Sequence, residues 1–363
     1  MNIAFVLLTY GIDEPAGIEY SVDALAEGCR RLGHEAFILT SATSQGRRSD
    51  LVRLSTVHLP RPATEEDLMK ELKDPAPVCR EVERILTDLR VDAVCWADAS
   101  WGLGYLAPAP PGISTVLRFG VLRTDPLMQR ALGHGPDAVF TCSPYLTRSA
   151  TDAGLDTTAW RSIPDPLRRT PDPVPPDRRE HLRKSAPVRI AVRAEPHKGI
   201  EEFIDACPSN WSRPVEIALA AAAFEYWPGM QQEVIDECRR RAETSRTVRI
   251  LPALPWDRVG DFFAGAAVTV NCSTAPETFG IAAAQSLAVG TPVVHYALGH
   301  LPSLVGEGGP SIDPAAGPHR IWEEIDALLA DAERYHRAAG RAPLRIADLT
   351  PEECAARFLS LIS

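Results

Sequence analysis

The chain has 363 residues, of which 45% are hydrophobic and 24% charged, and its formal net charge is −10. This length predicts two domains of ordinary size, and the composition is typical of a soluble globular protein rather than a disordered or fibrous one. The negative charge argues against a broad surface for nucleic acid or anionic membranes. An anionic ligand must therefore be held by a few local cations.

Cysteine usage and the N-terminal sequence predict the compartment. Eight cysteines are scattered singly from Cys29 to Cys354 without a C-x-x-C pair, which indicates reduced, buried thiols rather than a disulfide framework or a zinc site. The N-terminus enters a strand without a signal-peptide pattern, and no apolar run approaches the roughly 20 residues of a membrane span. We therefore expect a cytoplasmic protein with no transmembrane segment.

The first half alternates strand and helix signals. Residues 2–8 form an apolar run of strand length, and residues 21–32 have helical periodicity and stop at Gly33. Further strands are predicted at 36–40, 52–59, 93–97, 114–119 and 138–142, and further helices at 77–89 and 143–153. The alternation predicts a parallel sheet covered on both faces. The first turn contains only Gly11 and Gly17, at the wrong spacing for G-x-G-x-x-G, so a Rossmann dehydrogenase is disfavoured.

Two polar residues follow strands of this sheet, where ligands of open α/β sheets bind. Asp98 follows the strand at 93–97, and is interpreted either as a group that orients an acceptor hydroxyl or takes its proton, or as a helix N-cap. Arg118 ends the strand at 114–119, and is interpreted either as a phosphate or acceptor ligand or as half of a surface ion pair.

Residues 163–187 are rich in proline and charge, which is typical of a semi-rigid connector between domains. Its basic residues Arg178, Arg179, Arg183 and Lys184 are predicted to form a solvated surface. A peripheral membrane contact is the alternative.

The second half opens with a strand at 188–193 and a helix from Ile200. Arg193 and Lys198 emerge together at the end of this strand, facing a helix start. Two cations there would offset the charge that develops on a leaving diphosphate. The alternation then continues with strands at 215–221, 248–251 and 268–271 and helices at 231–244 and 256–264.

The most informative stretch is NCSTAPETFGIAAAQSLAVGTPVV at 271–294. It predicts a polar turn after a strand, a helix from about Phe279, a stop at Gly290 and a new strand. The helix start suits a phosphate or a sugar hydroxyl. Glu277 lies in the turn and Gln285 lies eight positions later, so both side chains can point into one cleft.

These motifs resemble those of retaining GT-B glycosyltransferases, in particular glycosyltransferase family 4 (glycosyl transferases group 1). Glu277, Phe279-Gly280 and the Gly-Thr-Pro-Val-Val run at 290–294 match, and so does the Arg-x4-Lys-Gly signature at 193–199, but Gln285 replaces the family's second glutamate. The resemblance implies an α/β fold with two Rossmann-like parallel-sheet domains facing across a cleft. It divides the chain into an acceptor domain (1–165), a linker (166–187), a donor domain (188–345) and a C-terminal helix that packs back on the first domain (346–363).

The resemblance also implies roles for individual residues. Arg193 and Lys198 would bind the diphosphate, Glu277 with the backbone of Thr278, Phe279 and Gly280 the donor sugar, and Gln285 the ribose. Leu254 or Pro255 would lie under the base, or this short apolar loop would only pack. His300 would lie near the donor sugar, or would be a solvated loop histidine. Gly17, within Ala16-Gly17-Ile18-Glu19, would lie at the phosphate or acceptor side, or would only satisfy a positive φ. Asp98 lies where the family often has an acceptor-side histidine.

The implied reaction is transfer of a sugar from a nucleoside diphosphate, with UDP expected, to a hydroxyl acceptor with retention at the anomeric carbon. A small-molecule acceptor such as a secondary metabolite is favoured over a lipid or polymer. No D-x-D motif occurs, so neither a metal nor another cofactor is expected, and the nucleotide sugar is the co-substrate. Two alternatives stay open: a GT-B relative with altered chemistry, as in a pseudo-glycosyltransferase or a nucleotide-sugar epimerase, and a non-catalytic nucleotide-sugar-binding subunit. A periplasmic-type receptor is disfavoured by the missing signal peptide.

Overall fold

The computed structural model describes residues 1–11, 17–43, 48–98, 103–168 and 171–362. The first domain is a parallel sheet with spatial order β3-β2-β1-β4-β5-β6-β7. Its strands are β1 (Asn2–Tyr10), β2 (Glu35–Thr43), β3 (Leu51–Arg53), β4 (Ala93–Trp96), β5 (Ser114–Phe119), β6 (Ala138–Thr141) and β7 (Arg161–Ser162). Its helices are α1 (Gly17–Arg31), α2 (Glu65–Glu71), α3 (Ala76–Asp88), α4 (Pro126–Gly133) and α5 (Pro144–Asp152).

The second domain is a parallel sheet with spatial order β10-β9-β8-β11-β12-β13. Its strands are β8 (Val188–Arg193), β9 (Val215–Ala220), β10 (Val248–Leu251), β11 (Val268–Asn271), β12 (Val293–Tyr296) and β13 (Ser311–Ile312). The remaining helices are α6 (Pro176–Ser185), α7 (Ile200–Asp205), α8 (Met230–Ala242), α9 (Trp256–Ala264), α10 (Ile281–Ala288), α11 (Leu301–Val305), α12 (Pro318–Ala330), α13 (Ala332–Arg341) and α14 (Pro351–Leu359). The prediction of two Rossmann-like parallel-sheet domains is confirmed.

Both sheets reverse their strand order next to their first strand. In the first sheet β1 lies between β2 and β4, and in the second β8 lies between β9 and β11. Such reversal points leave a crevice at the carboxyl ends of the strands. The two crevices face each other and form the cleft described below.

The C-terminal helix α14 packs on the first domain. The ring of Phe358 lies 5.4 Å from that of Phe5 and 5.9 Å from that of Phe140, measured between centroids. Gly28 of α1 permits this close approach, because a Cβ there would lie 2.0 Å from the carbonyl oxygen of Pro351.

The segment predicted as a proline-rich connector contains the helix α6. Arg179 in this helix is only 1% exposed and donates hydrogen bonds to the carbonyl oxygens of Ala266 (2.8 Å) and Val289 (3.0 Å). The prediction that this arginine belongs to a solvated surface is therefore wrong. The high charge of the segment predicted exposed side chains, whereas Arg179 anchors α6 to the second domain.

The predicted strand at 52–59 is much shorter in the structure. Strand β3 ends at Arg53, and the backbone N–H groups of Ser55 and Thr56 donate to the carboxylate of Glu81 at 2.8–3.0 Å. These donors are therefore not available to a neighbouring strand, and the pairing stops.

The eight cysteines, all within the described ranges, are free thiols, and six of them are buried. Among the described residues, no helix is both long and apolar enough to cross a bilayer. The same residues contain no group of three or more His, Cys, Asp or Glu side chains arranged to hold a metal ion.

Candidate active site

A cavity of about 370 Å³ lies between the two domains. This volume falls in the range of sites for small ligands and cofactors. Eleven of the predicted site residues line it: Gly17, Asp98 and Arg118 from the first domain, and Arg193, Lys198, Leu254, Glu277, Thr278, Phe279, Gly280 and Gln285 from the second. His300 is not among the described residues that line the cavity.

Lys198 and Glu277 form an ion pair in the second-domain wall. Their Nζ and Oε1 atoms lie 2.7 Å apart, and their side chains are 11% and 17% exposed. Burial raises the pKa of Glu277, but the positive charges of Lys198 and Arg193 outweigh it and hold that pKa below its usual range. Glu277 is therefore ionised at neutral pH.

The turn after β8 positions Lys198. The 3-10 turn Pro196–Lys198 ends at Gly199, whose φ is 68°. A Cβ at Gly199 would lie 2.2 Å from the carbonyl oxygen of Cys272, just after β11. Glycine at this position therefore brings Lys198 against the strand that leads into the Glu277 turn.

Arg193 and His197 both contact the carboxylate of Glu195, which the sequence analysis did not identify as a site residue. The guanidinium of Arg193 lies 3.1 Å from Oε1 of Glu195, a side chain that is 5% exposed, and the other oxygen of Glu195 lies 3.2 Å from Nε2 of His197. Burial and the charge of Lys198 lower the pKa of His197. The sequence signal that could have identified Glu195 is its position inside the Arg-x4-Lys-Gly signature, two residues after Arg193.

The turn before α10 is held by close packing and by a hydrogen bond from the first domain. Gly280 has a φ of 102°, and a Cβ there would lie 2.8 Å from a methyl carbon of Leu301. The carbonyl oxygen of Thr278 accepts a hydrogen bond from the Ser143 hydroxyl of the first domain. Phe279 is 3% exposed and packs into the core. The helix begins at Ile281, two residues later than expected, because Gly280 adopts a left-handed conformation.

His300 supports this turn with its backbone and its ring. Its backbone N–H donates to the carbonyl oxygen of Glu277 (2.8 Å), and its ring stacks on Phe279 with centroids 5.6 Å apart. Burial and the charge of Arg148 lower the pKa of His300 to about 4. His300 thus contacts the Glu277 turn without being among the described residues that line the cavity, and its approach to a donor sugar stays a prediction.

Arg118 is a buried side chain of the first-domain wall. It is 2% exposed, lies 2.6 Å from the Asp165 carboxylate and donates to Ser21 (3.0 Å) and the carbonyl oxygen of Ala97 (3.2 Å). Burial lowers the pKa of Arg118, but Asp165 outweighs this and raises it above its usual value. The alternative of a surface ion pair is therefore wrong, because the pair is internal.

Three further residues of the first-domain wall lie at strand or helix ends. Gly17 begins α1 in a helical conformation, so the alternative that required a positive φ is wrong. Asp98 is 5% exposed, and the residues that follow it at 99–102, like Ala16 before Gly17, lie outside the described residues. Glu19, in the first turn of α1, accepts a hydrogen bond from the Thr9 hydroxyl (2.7 Å), and its burial raises its pKa.

Both walls of the cleft carry charged side chains. Arg193 and Lys198 carry the positive charge on the second-domain side. Glu19 and Asp98 carry carboxylates on the first-domain side. This arrangement can hold an anionic group on one wall and orient a hydroxyl on the other.

Two family models match most of the chain. The model described as "Glycosyl transferases group 1" matches residues 178–345, and the model described as "Glycosyl transferase 4-like domain" matches residues 16–166. The two matches correspond to the two parallel-sheet domains of the structure.

Two curated proteins are similar over part of the sequence. The D-inositol 3-phosphate glycosyltransferase of Segniliparus rotundus is 32% identical over 157 residues, which cover 43% of this chain and 34% of that protein. The UDP-GlcNAc:ribostamycin N-acetylglucosaminyltransferase of Streptomyces fradiae is 28% identical over 139 residues, which cover 33% and 37% of the two chains. The chain thus spans about a third of the length of these curated relatives.

A solved structure is similar over the whole chain. HepE of Anabaena, in complex with UDP and glucose, superposes with a TM-score of 0.74 over 99% of each chain at 18% identity. This likeness concerns the fold. With both family models matched in order along two facing parallel-sheet domains, the chain belongs to the group 1 glycosyltransferases of the GT-B fold.

Proposed function

We propose that the protein transfers a sugar from a nucleoside diphosphate, with UDP as the nucleotide, to a hydroxyl group of a small-molecule acceptor, with retention at the anomeric carbon. One observation carries this proposal: Arg193, Lys198 and Glu277 meet in a single cleft between the two sheets. Two cations next to an ionised carboxylate suit a diphosphate joined to a sugar.

Each residue has a role in this reaction. Arg193 and Lys198 bind the diphosphate and stabilise the charge that develops as it leaves. Glu277 and the backbone at 278–280 bind the donor sugar. Asp98 orients the acceptor hydroxyl from the opposite wall. Gly17 lies at the phosphate or acceptor side, where α1 begins; among the described residues, a Cβ there would come within 4 Å of Ile281 alone, at 3.7 Å.

The chemical step exchanges one bond at the anomeric carbon. The bond from this carbon to the β-phosphate oxygen breaks, and a bond to the acceptor oxygen forms on the same face of the sugar. The proton of the acceptor hydroxyl passes to the leaving phosphate. The products are the glycoside and the nucleoside diphosphate, and Arg193 and Lys198 act where negative charge appears.

The similar proteins support the donor and acceptor classes. HepE was solved with UDP and glucose, and the name of the ribostamycin enzyme gives UDP-GlcNAc as donor. D-inositol 3-phosphate and ribostamycin, in the names of the two relatives, are small molecules. The ribostamycin enzyme also supports a role in antibiotic biosynthesis.

A thermal-shift panel of UDP, GDP, ADP, CDP and dTDP sugars tests the donor, because a ligand that binds only the folded state raises the melting temperature. We expect UDP sugars to give the largest shift, and no shift with any nucleotide would refute donor binding. Release of nucleoside diphosphate with a candidate acceptor, with NMR of the product's anomeric configuration, then tests transfer. Binding without release would indicate a non-catalytic nucleotide-sugar-binding protein. Turnover of the donor to an isomer or a non-glycoside would indicate altered chemistry.

A further inference from the structure

Glu195 lies between the two cations of the second-domain wall. Its backbone N–H donates to the carbonyl oxygen of Arg193 (3.0 Å), and its own carbonyl oxygen accepts from the N–H of Lys198 (3.0 Å). Its carboxylate is 5% exposed, lines the cavity and lies 3.1 Å from the guanidinium of Arg193. A carboxylate is therefore fixed inside the turn that presents Arg193 and Lys198 to the cleft.

The carboxylate of Glu195 is only partly satisfied by its neighbours. Its Oε2 atom is buried and accepts no hydrogen bond from the described residues, although Nε2 of His197 lies 3.2 Å away. Burial and the charge of Lys198 lower the pKa of His197, so this ring is neutral at pH 8 and adds no positive charge. A buried polar atom without a hydrogen bond costs free energy of folding. Replacement of Glu195 by the neutral amide of glutamine should therefore leave the fold intact.

The carboxylates of the second-domain wall offset its cations. Glu277 lies 2.7 Å from Lys198 and cancels the charge of that ammonium group. Glu195 does the same for Arg193 at 3.1 Å. Glu225 also lines the cavity and adds a third carboxylate. The described residues of this wall thus have no excess of positive charge with which to hold a diphosphate.

A nucleoside diphosphate gains charge when its sugar is transferred. At pH 8 UDP carries one more negative charge than a UDP sugar, because its terminal phosphate loses a second proton with a pKa of about 6. A phosphate bound to Arg193 would be separated from Glu195 only by the guanidinium group, and like charges this close repel one another. The repulsion is larger for the product UDP than for the UDP sugar.

We propose that Glu195 is a positioning residue for Arg193 whose charge also favours release of the nucleoside diphosphate after transfer. The carboxylate holds the guanidinium at the cleft, and it repels the phosphate that has just gained a charge. Product release is then set by a carboxylate of the phosphate-binding turn itself. This proposal rests on the proposed function, because it takes a nucleoside diphosphate as the product.

Glu195→Gln tests the role of the charge, because it removes the charge and keeps an oxygen that can accept from Arg193. The measurement is the affinity of the full chain at pH 8 for UDP and UDP-glucose, by isothermal titration calorimetry, and for uridine, by NMR titration. We expect Glu195→Gln to bind UDP about ten-fold more tightly or better, UDP-glucose with a smaller gain, and uridine with the wild-type affinity. Surface plasmon resonance should show slower dissociation of UDP from the variant.

Glu216→Gln is the matched control. Glu216 pairs at 2.8 Å with Arg189, which lies on the same strand as Arg193, and it is not among the described residues that line the cavity. Its replacement removes the same charge from the same domain. We expect the affinities for UDP, UDP-glucose and uridine to stay at the wild-type values.

Glu195→Ala tests the positioning of Arg193. It removes the charge, as Glu195→Gln does, and it also removes the oxygen that holds the guanidinium. An arginine that is not held loses more conformational freedom when it binds a phosphate. Glu195→Ala should therefore bind UDP about three-fold more weakly than Glu195→Gln, or worse.

The outcomes separate this proposal from the proposed function. Unchanged or weaker binding of UDP by Glu195→Gln overturns the role of the charge and leaves nucleotide binding intact. So does an equal gain for UDP and uridine, or an equal gain in Glu216→Gln, because neither depends on repulsion at the diphosphate. Equal affinities of Glu195→Gln and Glu195→Ala for UDP overturn the positioning role. A wild type that binds neither UDP nor UDP-glucose overturns the proposed function and the role of Glu195 with it.

Discussion

Lys198 and Glu277 are 79 positions apart in the sequence, yet their charged atoms lie 2.7 Å apart. The parallel pairing of β8 with β11 brings the ends of the two strands together, and the glycine after Lys198 lets the backbones touch. Arg193, at the end of β8, is 37% exposed and faces the cleft. At the residue scale, the site is therefore a consequence of strand order combined with one permissive glycine.

Arg193→Ala should lower kcat/KM for the nucleotide sugar by about 100-fold or more, since it removes a charge from the leaving diphosphate. Arg189→Ala is the control, because Arg189 lies on the same strand, pairs with Glu216 at 2.8 Å and is not among the described residues lining the cavity. Steady-state kinetics and circular dichroism of both variants provide the check. Equal losses of activity in the two variants would contradict a role for Arg193 at the diphosphate.

Protonation of His300 should lower the free energy of unfolding at acidic pH. Its pKa is about 4 in the folded chain, against about 6.5 when unfolded, so the unfolded state binds the extra proton between these values. The free energy of unfolding should therefore decrease as the pH falls from about 6.5 to about 4, by at most about 3 kcal/mol from this residue. His300→Phe keeps a ring on Phe279 and should flatten this part of the curve in urea titrations. Parallel curves for wild type and variant would show that His300 does not titrate in this way.

At the element scale, the docking of α14 on α1 closes the first domain with residues from the end of the chain. Phe358 fills the space between Phe5 of β1 and Phe140 of β6. Arg31 of α1 pairs with Glu352 of α14 at 2.8 Å, but both side chains are over 40% exposed, so the pair contributes little. The ring of Phe358 packs α14 against the sheet, and the missing side chain at Gly28 lets α1 and α14 approach closely.

Gly28→Ala should destabilise this helix pair by about 2 kcal/mol or more, because the new methyl would lie 2.0 Å from Pro351 O and 2.9 Å from Ala355 Cβ. Gly340→Ala is the matched control, since Gly340 is also within a helix and a Cβ there would meet no described residue within 4 Å. It should stabilise by about 0.5–1 kcal/mol through helix propensity. Urea denaturation of both variants gives the comparison. A stable Gly28→Ala variant would mean that α14 is not closely packed on α1.

At the scale of the whole molecule, the core of the first domain extends into the second domain, whose sheet also has a core of its own. Trp256, Phe279 and Leu287 of the second domain belong to the same cluster as Phe5 and Trp96 of the first. A second contact between the domains follows β9. There the Ala63 N–H donates to the carbonyl oxygen of Ala223 (2.8 Å), and the Glu225 N–H donates to the carbonyl oxygen of Ala63 (3.0 Å). The domains are thus joined by more than the connecting chain.

Because the core of the first domain extends into the second, we predict one cooperative unfolding transition. Differential scanning calorimetry should give a single peak with equal calorimetric and van't Hoff enthalpies, because neither domain can unfold without exposing the other's apolar surface. A saturating UDP sugar should move the whole peak upward, by mass action on the folded state. Two separate peaks, with only one moved by the nucleotide, would show that the domains unfold independently.

The sequence by itself determined the local elements and the donor-side motif. Strands such as β5, β8 and β11 were predicted to their end residues because apolar runs, strand lengths and turn glycines act locally. The same local signals placed Arg193, Lys198 and Glu277 at the carboxyl ends of parallel strands, which meet at one edge of a sheet. Their placement needed only knowledge of which strand precedes each residue, whereas their roles came from the resemblance to glycosyltransferase family 4.

Only the tertiary structure decided which polar side chains are internal and which partners they have. The sequence predicts Arg179 as a surface charge and Arg118 as either a ligand of the site or half of a surface ion pair. In the structure Arg179 binds buried carbonyl oxygens and Arg118 a buried carboxylate. Burial and pairing depend on groups that are distant in sequence and brought together by the packing of two domains, whereas periodicity and turn chemistry depend only on neighbours.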